Sequence, residues 1–156
     1  SLTGHLVLST LHTNTAIGAV TRLQDMGIEP FLLSSSLLAV MSQRLVRLLC
    51  RDCREEHTPD AAELDVLGLG GAQDVSVYRP SGCERCNYTG YRGRTGIYEL
   101  IEIDDPMRVM IHEGASEQEM LALARRKYPG IERDGQRRIL AGETSIEEVL
   151  RVTSLA

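Results

Sequence analysis

The chain begins with a nearly continuous apolar run over residues 4–12, which is typical of a strand covered on both faces in a mainly parallel sheet. Asn14 or Thr15 can then cap a helix whose apolar residues recur at helical spacing until Gly27 ends it. A strand that leads into a capped helix is half of an α/β unit. The pattern therefore predicts an α/β fold.

Further along the chain the pattern changes to helical spacing. A second, long and mostly buried helix is predicted to begin at Pro30 and to continue to Leu48. Residues rich in β-formers predict a strand over 94–103. Shorter helices are predicted over residues 61–67, 106–112, 116–128 and 145–152. Asp104 or Asp105 is expected to cap the second of these, and Ser116 is expected to form a capping box with Glu119.

Composition and charge exclude several classes of function. The chain has 17 basic and 22 acidic residues, and a net charge of -5 argues against a protein that coats nucleic acid or an anionic membrane. Its only lysine, Lys127, has no glycine before it, so the sequence contains no phosphate-binding loop of the G-x-x-x-x-G-K-[ST] type. No apolar run is long enough for a spanning helix and no signal-peptide pattern is present, so we expect a cytoplasmic location.

All four cysteines occur in two Cys-x-x-Cys pairs separated by 29 residues. They are Cys50, Cys53, Cys83 and Cys86. Each pair can place two thiolates on one side of a tight turn, and together they match a tetrahedral Zn2+ site with no open position for catalysis. The sequence therefore predicts a structural zinc ion. Disulfides are the alternative, which a cytoplasmic location disfavours, and thioredoxin-like chemistry would need only one pair.

Arginines are concentrated around the cysteines, and a zinc ion with four thiolates carries a formal charge of -2 that needs compensation. The arginines are Arg47, Arg51, Arg54, Arg85, Arg92 and Arg94. Arginine also lowers the pKa of a thiol, which favours metal binding. We therefore expect these arginines to neutralise the metal site.

Two histidines lie in the first predicted strand. Period-2 geometry places His5 on one face and His12 on the other, so they cannot act as a pair from one regular strand. His12 stands at the carboxyl end, where open α/β sheets bind ligands, and Thr13 follows it near a helix N-terminus that favours anions. His12 is thus a candidate for sensing a phosphate. The alternative is a hydrogen-bonded, partly buried histidine with no ligand.

The order of these features resembles the C-terminal part of bacterial secretion ATPases of the type II secretion and type IV pilus assembly family. The resemblance rests on TGHLVLSTLHTNTA, RLQDMGIEPFLLSSSLLAVMSQRLVRLLC, CRDC, CERC, GYRGRTGIYEL and TSIEEVLRVT, which together cover essentially the whole chain. RLVRLLCRDC and YRGRTGIYELIEID look most like the type II secretion branch. The family's phosphate-binding loop, acidic box and Walker B glutamate lie upstream of its histidine box and are missing from this sequence.

The resemblance implies a homo-hexameric ATPase with a RecA-like core that uses ATP and Mg2+. Such a protein works at the cytoplasmic face of the bacterial inner membrane, with inner-membrane secretion components as partners. There it drives pseudopilus assembly for protein secretion. Without the phosphate-binding loop, this chain alone should not hydrolyse ATP.

The resemblance also assigns roles to individual residues. It matches His5 and His12 to the histidine box, with His12 facing the γ-phosphate or the attacking water, and the four cysteines to the zinc ligands. Arg94, in a glycine-flanked loop expected over residues 90–96, matches a nucleotide contact, and Thr13 is a second candidate contact. An alternative for Arg94 is that it only neutralises the zinc site.

Three segments follow from this interpretation. Residues 1–48 are expected to form the last part of the RecA-like core, residues 49–94 the zinc module, and residues 95–156 a strand with a helical C-terminal region. Two other functions stay open: a type IV pilus assembly ATPase, or a zinc ribbon that binds nucleic acid through Tyr78, Tyr88 and Tyr91. The acidic segments around the basic patch oppose the ribbon, so we expect no nucleic-acid partner.

Overall fold

The computed structural model describes residues 4–72 and 74–153. Seven α-helices and four β-strands are described in these residues, with one 3-10 turn at Glu84–Cys86. The helices are α1 (Gly18–Asp25), α2 (Pro30–Ser36), α3 (Ala61–Val66), α4 (Asp105–His112), α5 (Glu117–Ala124), α6 (Ile131–Leu140) and α7 (Ile146–Thr153). The strands are β1 (Ala39–Leu49), β2 (Glu55–His57), β3 (Val77–Arg79) and β4 (Tyr91–Glu102). The chain thus mixes helices and strands, as the α/β prediction requires.

The four strands form two small sheets. In one, β1 pairs with β4, and backbone hydrogen bonds join Ile103 to Leu38 and Cys50 to Gly90, so these strands run in opposite directions. In the other, β2 and β3 are antiparallel, with Glu56 opposite Tyr78. No helix in the described part of the chain combines the length and the hydrophobicity that a membrane span requires.

The chain divides into two compact units, each made from two separate segments. The first unit contains the residues up to Ser42 and Tyr98–Gly130, and the second contains Gln43–Ile97 and the residues from Ile131 onward. The units divide after Ser42, Ile97 and Gly130, whereas the segments predicted from the sequence end at residues 48 and 94. The assignment of segments 1–48, 49–94 and 95–156 to separate roles stays a prediction.

Each unit has its own apolar core. The first core is formed by Ala16, Ile17, Val20, Leu33, Val40, Ile101, Ile103, Met107, Ile111, Met120 and Ala124. The second is formed by Val46, Leu67, Val77, Ile97, Ile131, Ile139, Ile146, Val149 and Val152. Burial of these side chains is the main favourable contribution to folding, at about 25 cal/mol per Å² of apolar surface.

The predicted helix from Pro30 to Leu48 is wrong beyond Ser36. The hydroxyl groups of Ser34, Ser35 and Ser36 donate to backbone carbonyls one turn earlier, as such side chains often do where a helix ends. The chain then continues as β1, in which Val40 is buried and Met41 is exposed. Hydrogen bonding to β4 stabilises the extended conformation of this segment, and it overrides the helical preference of leucine and methionine.

The predicted strand over residues 4–12 is also wrong, because residues 4–13 form neither helix nor strand. An isolated strand leaves its backbone N–H and C=O groups unpaired, and no strand in the described residues lies beside this segment. Leu6, Val7 and Leu8 are 75%, 61% and 88% exposed. The apolar run thus has the composition of a buried strand, but no described residues bury these three side chains.

The other helices agree with the sequence. Asp104 accepts the backbone N–H of Met107 at the start of α4, and Ser116 and Glu119 form the predicted capping box of α5. The helix predicted over residues 61–67 is present as α3, and Asp60 caps it. The strand predicted over residues 94–103 is present as β4, which begins three residues earlier at Tyr91. Helix α6 was not predicted individually.

Candidate functional site

The four cysteines come together within the second unit. Cys50 and Cys53 lie on the turn after β1; Cys83 directly precedes the 3-10 turn and Cys86 is its last residue. The second turn is tight because Asn87 and Tyr88 adopt left-handed backbone angles, with φ of 50° and 60°. All four sulfur atoms lie within 4.8 Å of one another, so the cluster could hold a metal ion.

The sulfur spacing fits a tetrahedral metal. The Sγ–Sγ distances are 3.9 Å for Cys50–Cys83, 3.8 Å for Cys53–Cys86 and 3.9 Å for Cys83–Cys86. Four sulfur ligands around zinc at about 2.3 Å stand about 3.8 Å apart at the corners of a tetrahedron. The cysteines are therefore arranged as a closed four-sulfur site rather than as two disulfides, and all four are free thiols.

Backbone N–H groups supply much of the polar environment of the sulfurs. Gly82 N–H donates to Cys53 Sγ at 3.3 Å, and Cys83 and Gly90 N–H groups donate to Cys86 Sγ at 3.2 and 3.3 Å. Burial raises the pKa of Cys86, but these N–H donors and the neighbouring thiols outweigh it and lower the pKa to about 6. Burial and the other thiols raise the pKa of Cys53 to about 12.

Gly90 links the two cysteine turns. Its N–H donates to Cys86 Sγ, and its carbonyl oxygen accepts the N–H of Cys50 at 2.9 Å. A Cβ atom at this position would lie 2.3 Å from Cβ of Pro80, so no larger residue fits without a backbone shift. The glycine therefore allows the close approach that brings the two turns together.

Three of the arginines expected to neutralise the site are occupied by other partners. Arg85 forms an ion pair with Asp52 at 3.1 Å, and Arg54 stacks 4.3 Å from the ring centroid of Tyr78 and donates to the Gly142 carbonyl. Arg47 binds Glu148. No arginine contact to a sulfur is described; the donors to the sulfurs are backbone N–H groups, and Cys50 and Cys86 thiols contact Asp52 Oδ2 and the Cys83 carbonyl.

The histidine segment lies in the first unit. His5 and His12 are both exposed, and because residues 4–13 form no strand, the predicted separation of the two onto opposite strand faces does not apply. Thr13 Oγ1 donates to the Thr15 carbonyl at 3.0 Å. The helix cap predicted at Asn14 or Thr15 differs from the structure, because α1 begins at Gly18 and its N-cap position is Ile17; Thr15 Oγ1 nevertheless accepts the Gly18 N–H at 2.8 Å.

Arg94 lies in the second unit, within β4 rather than in a loop. The segment 90–96 had been expected to form a glycine-flanked loop, but the strand begins at Tyr91. Gly93 keeps a positive φ of 83° within it. Arg94 is exposed. The role of Arg94 in nucleotide binding stays a prediction.

A buried carboxylate that the sequence did not reveal lies in the second unit. Glu148 accepts two hydrogen bonds from the Arg47 guanidinium and one from the Arg47 N–H, and Arg151 adds two more. Arg47 also lies 4.1 Å from the ring centroid of Tyr91, whose hydroxyl contacts Ser145 Oγ at 2.7 Å. No sequence pattern singles out Glu148 as the buried carboxylate, because the adjacent Glu147 has the same side chain and is exposed.

Two of the tyrosines considered for base stacking are covered by arginines. Arg54 lies over Tyr78, and Arg47 lies over Tyr91. Tyr88 is 71% exposed. The ring faces that a nucleic acid would need are thus partly used within the second unit.

The sequence matches the family described as "Type II/IV secretion system protein" over residues 1–151. The chain belongs to this family. It is 61% identical over 153 residues to the "Type II secretion system protein E" of Pseudomonas aeruginosa and to the protein of the same name from Aeromonas hydrophila. It is 55% identical to the "Type II secretion system ATPase E" of Vibrio cholerae. Each match covers 98% of this chain and 30% of the relative.

Family membership confirms the resemblance found in the sequence. The match extends across both units and includes the histidine segment and the four cysteines. The chain spans about 30% of the length of these secretion relatives, so the match assigns the family and not the activity of a whole protein.

Proposed function

We propose that this chain is the C-terminal portion of a hexameric ATPase that powers type II protein secretion by ATP hydrolysis. The observation that carries the proposal is the 61% identity to two proteins named type II secretion system protein E, over 98% of the chain. The Vibrio cholerae relative is named as an ATPase. In this proposal the protein is cytoplasmic, lies at the bacterial inner membrane and drives pseudopilus assembly there with inner-membrane secretion components.

The nucleotide would be bound mainly by a RecA-like core that includes residues beyond this chain. Phosphoryl transfer depends on a phosphate-binding loop and Mg2+, and this sequence contains no such loop. This chain would contribute His12 near the γ-phosphate or the attacking water, with His5, Thr13 and Arg94 as further contacts. The 156-residue chain alone would be inactive.

The apolar run at Leu6, Val7 and Leu8 supports this arrangement. These side chains are more than half exposed, although their composition is that of a strand buried on both faces. In the proposed protein, strands of the core beyond this chain pair with the segment and cover it. His12 would then lie at the carboxyl end of a strand, where ligands bind in open α/β sheets.

The four cysteines would hold a structural zinc ion. The sulfur spacing of 3.8–3.9 Å and the four-thiol donor set suit tetrahedral zinc, which leaves no position for a reacting water. Bound zinc would join the turn after β1 to the turn before β4. Its contribution is therefore to the stability of the second unit rather than to ATP hydrolysis.

The test is ATP hydrolysis by the full-length protein that contains this chain. His12→Ala is expected to lower turnover severely and to leave the zinc content unchanged, while His112→Ala serves as a histidine control on α4. Normal turnover in His12→Ala would contradict the sensing role. Lack of turnover in the unmodified hexamer with ATP and Mg2+ would contradict the ATPase itself.

A further inference from the structure

The hydroxyl group of Thr15 connects two distant parts of the first unit. It accepts the N–H of Gly18 at 2.8 Å and contacts Glu117 Oε1 at 2.7 Å, across 102 residues of sequence. A hydroxyl has one proton, and the carboxylate of Glu117 can only accept, so this proton points to Glu117. The turn that leads into α1 is thus held by a residue of another helix.

Glu117 is well placed for this contact because it is the first residue of α5. A carboxylate at a helix N-terminus is stabilised by the helix dipole. Ser116 and Glu119 supply the capping box of the helix, so Glu117 is not needed as the cap. Its carboxylate remains available for Thr15.

The other end of α5 is also fixed by an ion pair. Arg125, the residue that ends the helix, donates to Glu99 Oε1 at 2.6 Å. The side chain of Glu99 is 4% exposed and belongs to β4. Helix α5 therefore runs between a buried carboxylate on a strand and the turn that follows His12.

We propose that Glu117 is a positioning residue that fixes the turn at residues 12–15 through Thr15. This inference rests on the proposed ATPase function, in which His12 faces the γ-phosphate. His12 is exposed, and no helix or strand lies between it and Gly18, so on its C-terminal side His12 is held through Thr13 and Thr15. Thr13 bonds to the Thr15 carbonyl, and Thr15 bonds to Glu117, so α5 sets the place of the turn.

Displacement of this turn should affect the rate of the reaction more than the binding of nucleotide. Most of the ATP contacts would come from the phosphate-binding loop, which is not in this chain, while His12 would act on the γ-phosphate. Small misplacements of a reacting or positioning group can lower a rate by up to about 100-fold. Loss of Glu117 is therefore expected to lower kcat and to leave KM for ATP nearly unchanged.

The experiment compares variants of the full-length hexamer by steady-state ATP hydrolysis. Glu117→Ala is expected to lower kcat by about tenfold with KM within twofold, and Glu117→Gln, which keeps an acceptor oxygen, should restore most of the rate. Gln118→Ala is the matched control, since Gln118 is exposed on the same helical turn. Thr15→Val should reproduce the loss, and the double variant should lose no more than either single variant.

A second readout does not depend on turnover. Hydrogen exchange of the segment that contains Gly18 should be faster in Glu117→Ala than in the unmodified hexamer, because the Thr15 hydroxyl is no longer held in place. Unchanged exchange, unchanged kcat, or additive losses in the double variant would each contradict the positioning role. If the unmodified hexamer hydrolyses no ATP, the proposed function fails, and exchange alone then decides whether Glu117 positions the turn.

Discussion

Glu148 and Arg47, 101 residues apart, form an ion pair in which Arg47 Nε and Nη2 both donate to Glu148 Oε2, at 3.0 and 2.7 Å. The side chain of Glu148 is fully buried, whereas that of Arg47 is 45% exposed. Arg151 adds a second guanidinium to the same carboxylate. The pair connects α7 to β1, and β1 leads directly into the first cysteine turn.

Removal of the Glu148 carboxylate should destabilise the second unit. Breaking a buried, multiply bonded ion pair costs about 3–5 kcal/mol, so Glu148→Ala is expected to lower the free energy of unfolding by about 3 kcal/mol. Arg151→Ala should cost about 1 kcal/mol, because Arg47 still pairs with the carboxylate. Urea denaturation measures both, with the exposed neighbour Glu147→Ala as the control. Equal effects of Glu147→Ala and Glu148→Ala would contradict the structural role of the pair.

Stability should also depend on pH through this carboxylate. Burial raises the pKa of Glu148, but hydrogen bonds from Arg151 and Arg47 outweigh it and lower the pKa from 4.5 to about 2. A lowered pKa stabilises the folded state above pH 4.5, and this contribution is lost as the pH falls towards about 2. The difference in unfolding free energy between the unmodified chain and Glu148→Gln should therefore shrink over this interval. A constant difference would show that the carboxylate does not titrate as described.

The cysteine cluster predicts one zinc ion per chain. Metal analysis should find this ion in the unmodified chain, and Cys86→Ser should lose it and lower the melting temperature. Ser81→Ala, beside the same turn, should retain the metal. Cobalt in place of zinc should give the intense visible absorption of a tetrahedral four-thiolate site. A chain that keeps its zinc after Cys86→Ser, or that binds none when purified without chelator, would contradict the assignment.

Gly142 should tolerate substitution less well than Gly27. Both glycines follow a helix with positive φ, 68° and 87°, and both make the same backbone hydrogen bonds at the helix end. A Cβ at Gly142 would lie 2.8 Å from the Tyr78 ring and 3.1 Å from the Arg54 guanidinium, whereas nothing lies within 4 Å at Gly27. Gly27→Ala should cost about 1 kcal/mol from backbone strain alone, and Gly142→Ala clearly more. Equal losses in thermal unfolding would show that the Arg54–Tyr78 contact is not tight.

Local signals in the sequence predicted a large part of the fold. Capping residues such as Asp104 and Ser116 fix where α4 and α5 begin, because they bond to backbone N–H groups a few residues away. The spacing of the cysteines likewise predicted the four-sulfur cluster, since two tight turns leave few other arrangements. Family blocks in the sequence indicated the secretion family, which the comparison confirmed.

Features that depend on distant partners were missed. Leucine and methionine favour a helix through Leu48, and only the pairing with β4 makes this segment a strand. The Thr15–Glu117 hydrogen bond and the Arg47–Glu148 ion pair each join residues about 100 positions apart, and no local sequence pattern indicates such contacts. The strand predicted over residues 4–12 failed for the same reason, because a strand needs a neighbour that the described residues do not provide.

The proposed ATPase function is tested most directly by comparing ATP hydrolysis by the full-length protein with that of the 156-residue chain, at equal concentration and with Mg2+. Turnover is expected from the full-length protein and none above background from the chain alone, because a phosphate-binding loop is needed and this sequence contains none. Hydrolysis by the isolated chain at a comparable rate would contradict the proposed function, as would a full-length hexamer that hydrolyses no ATP.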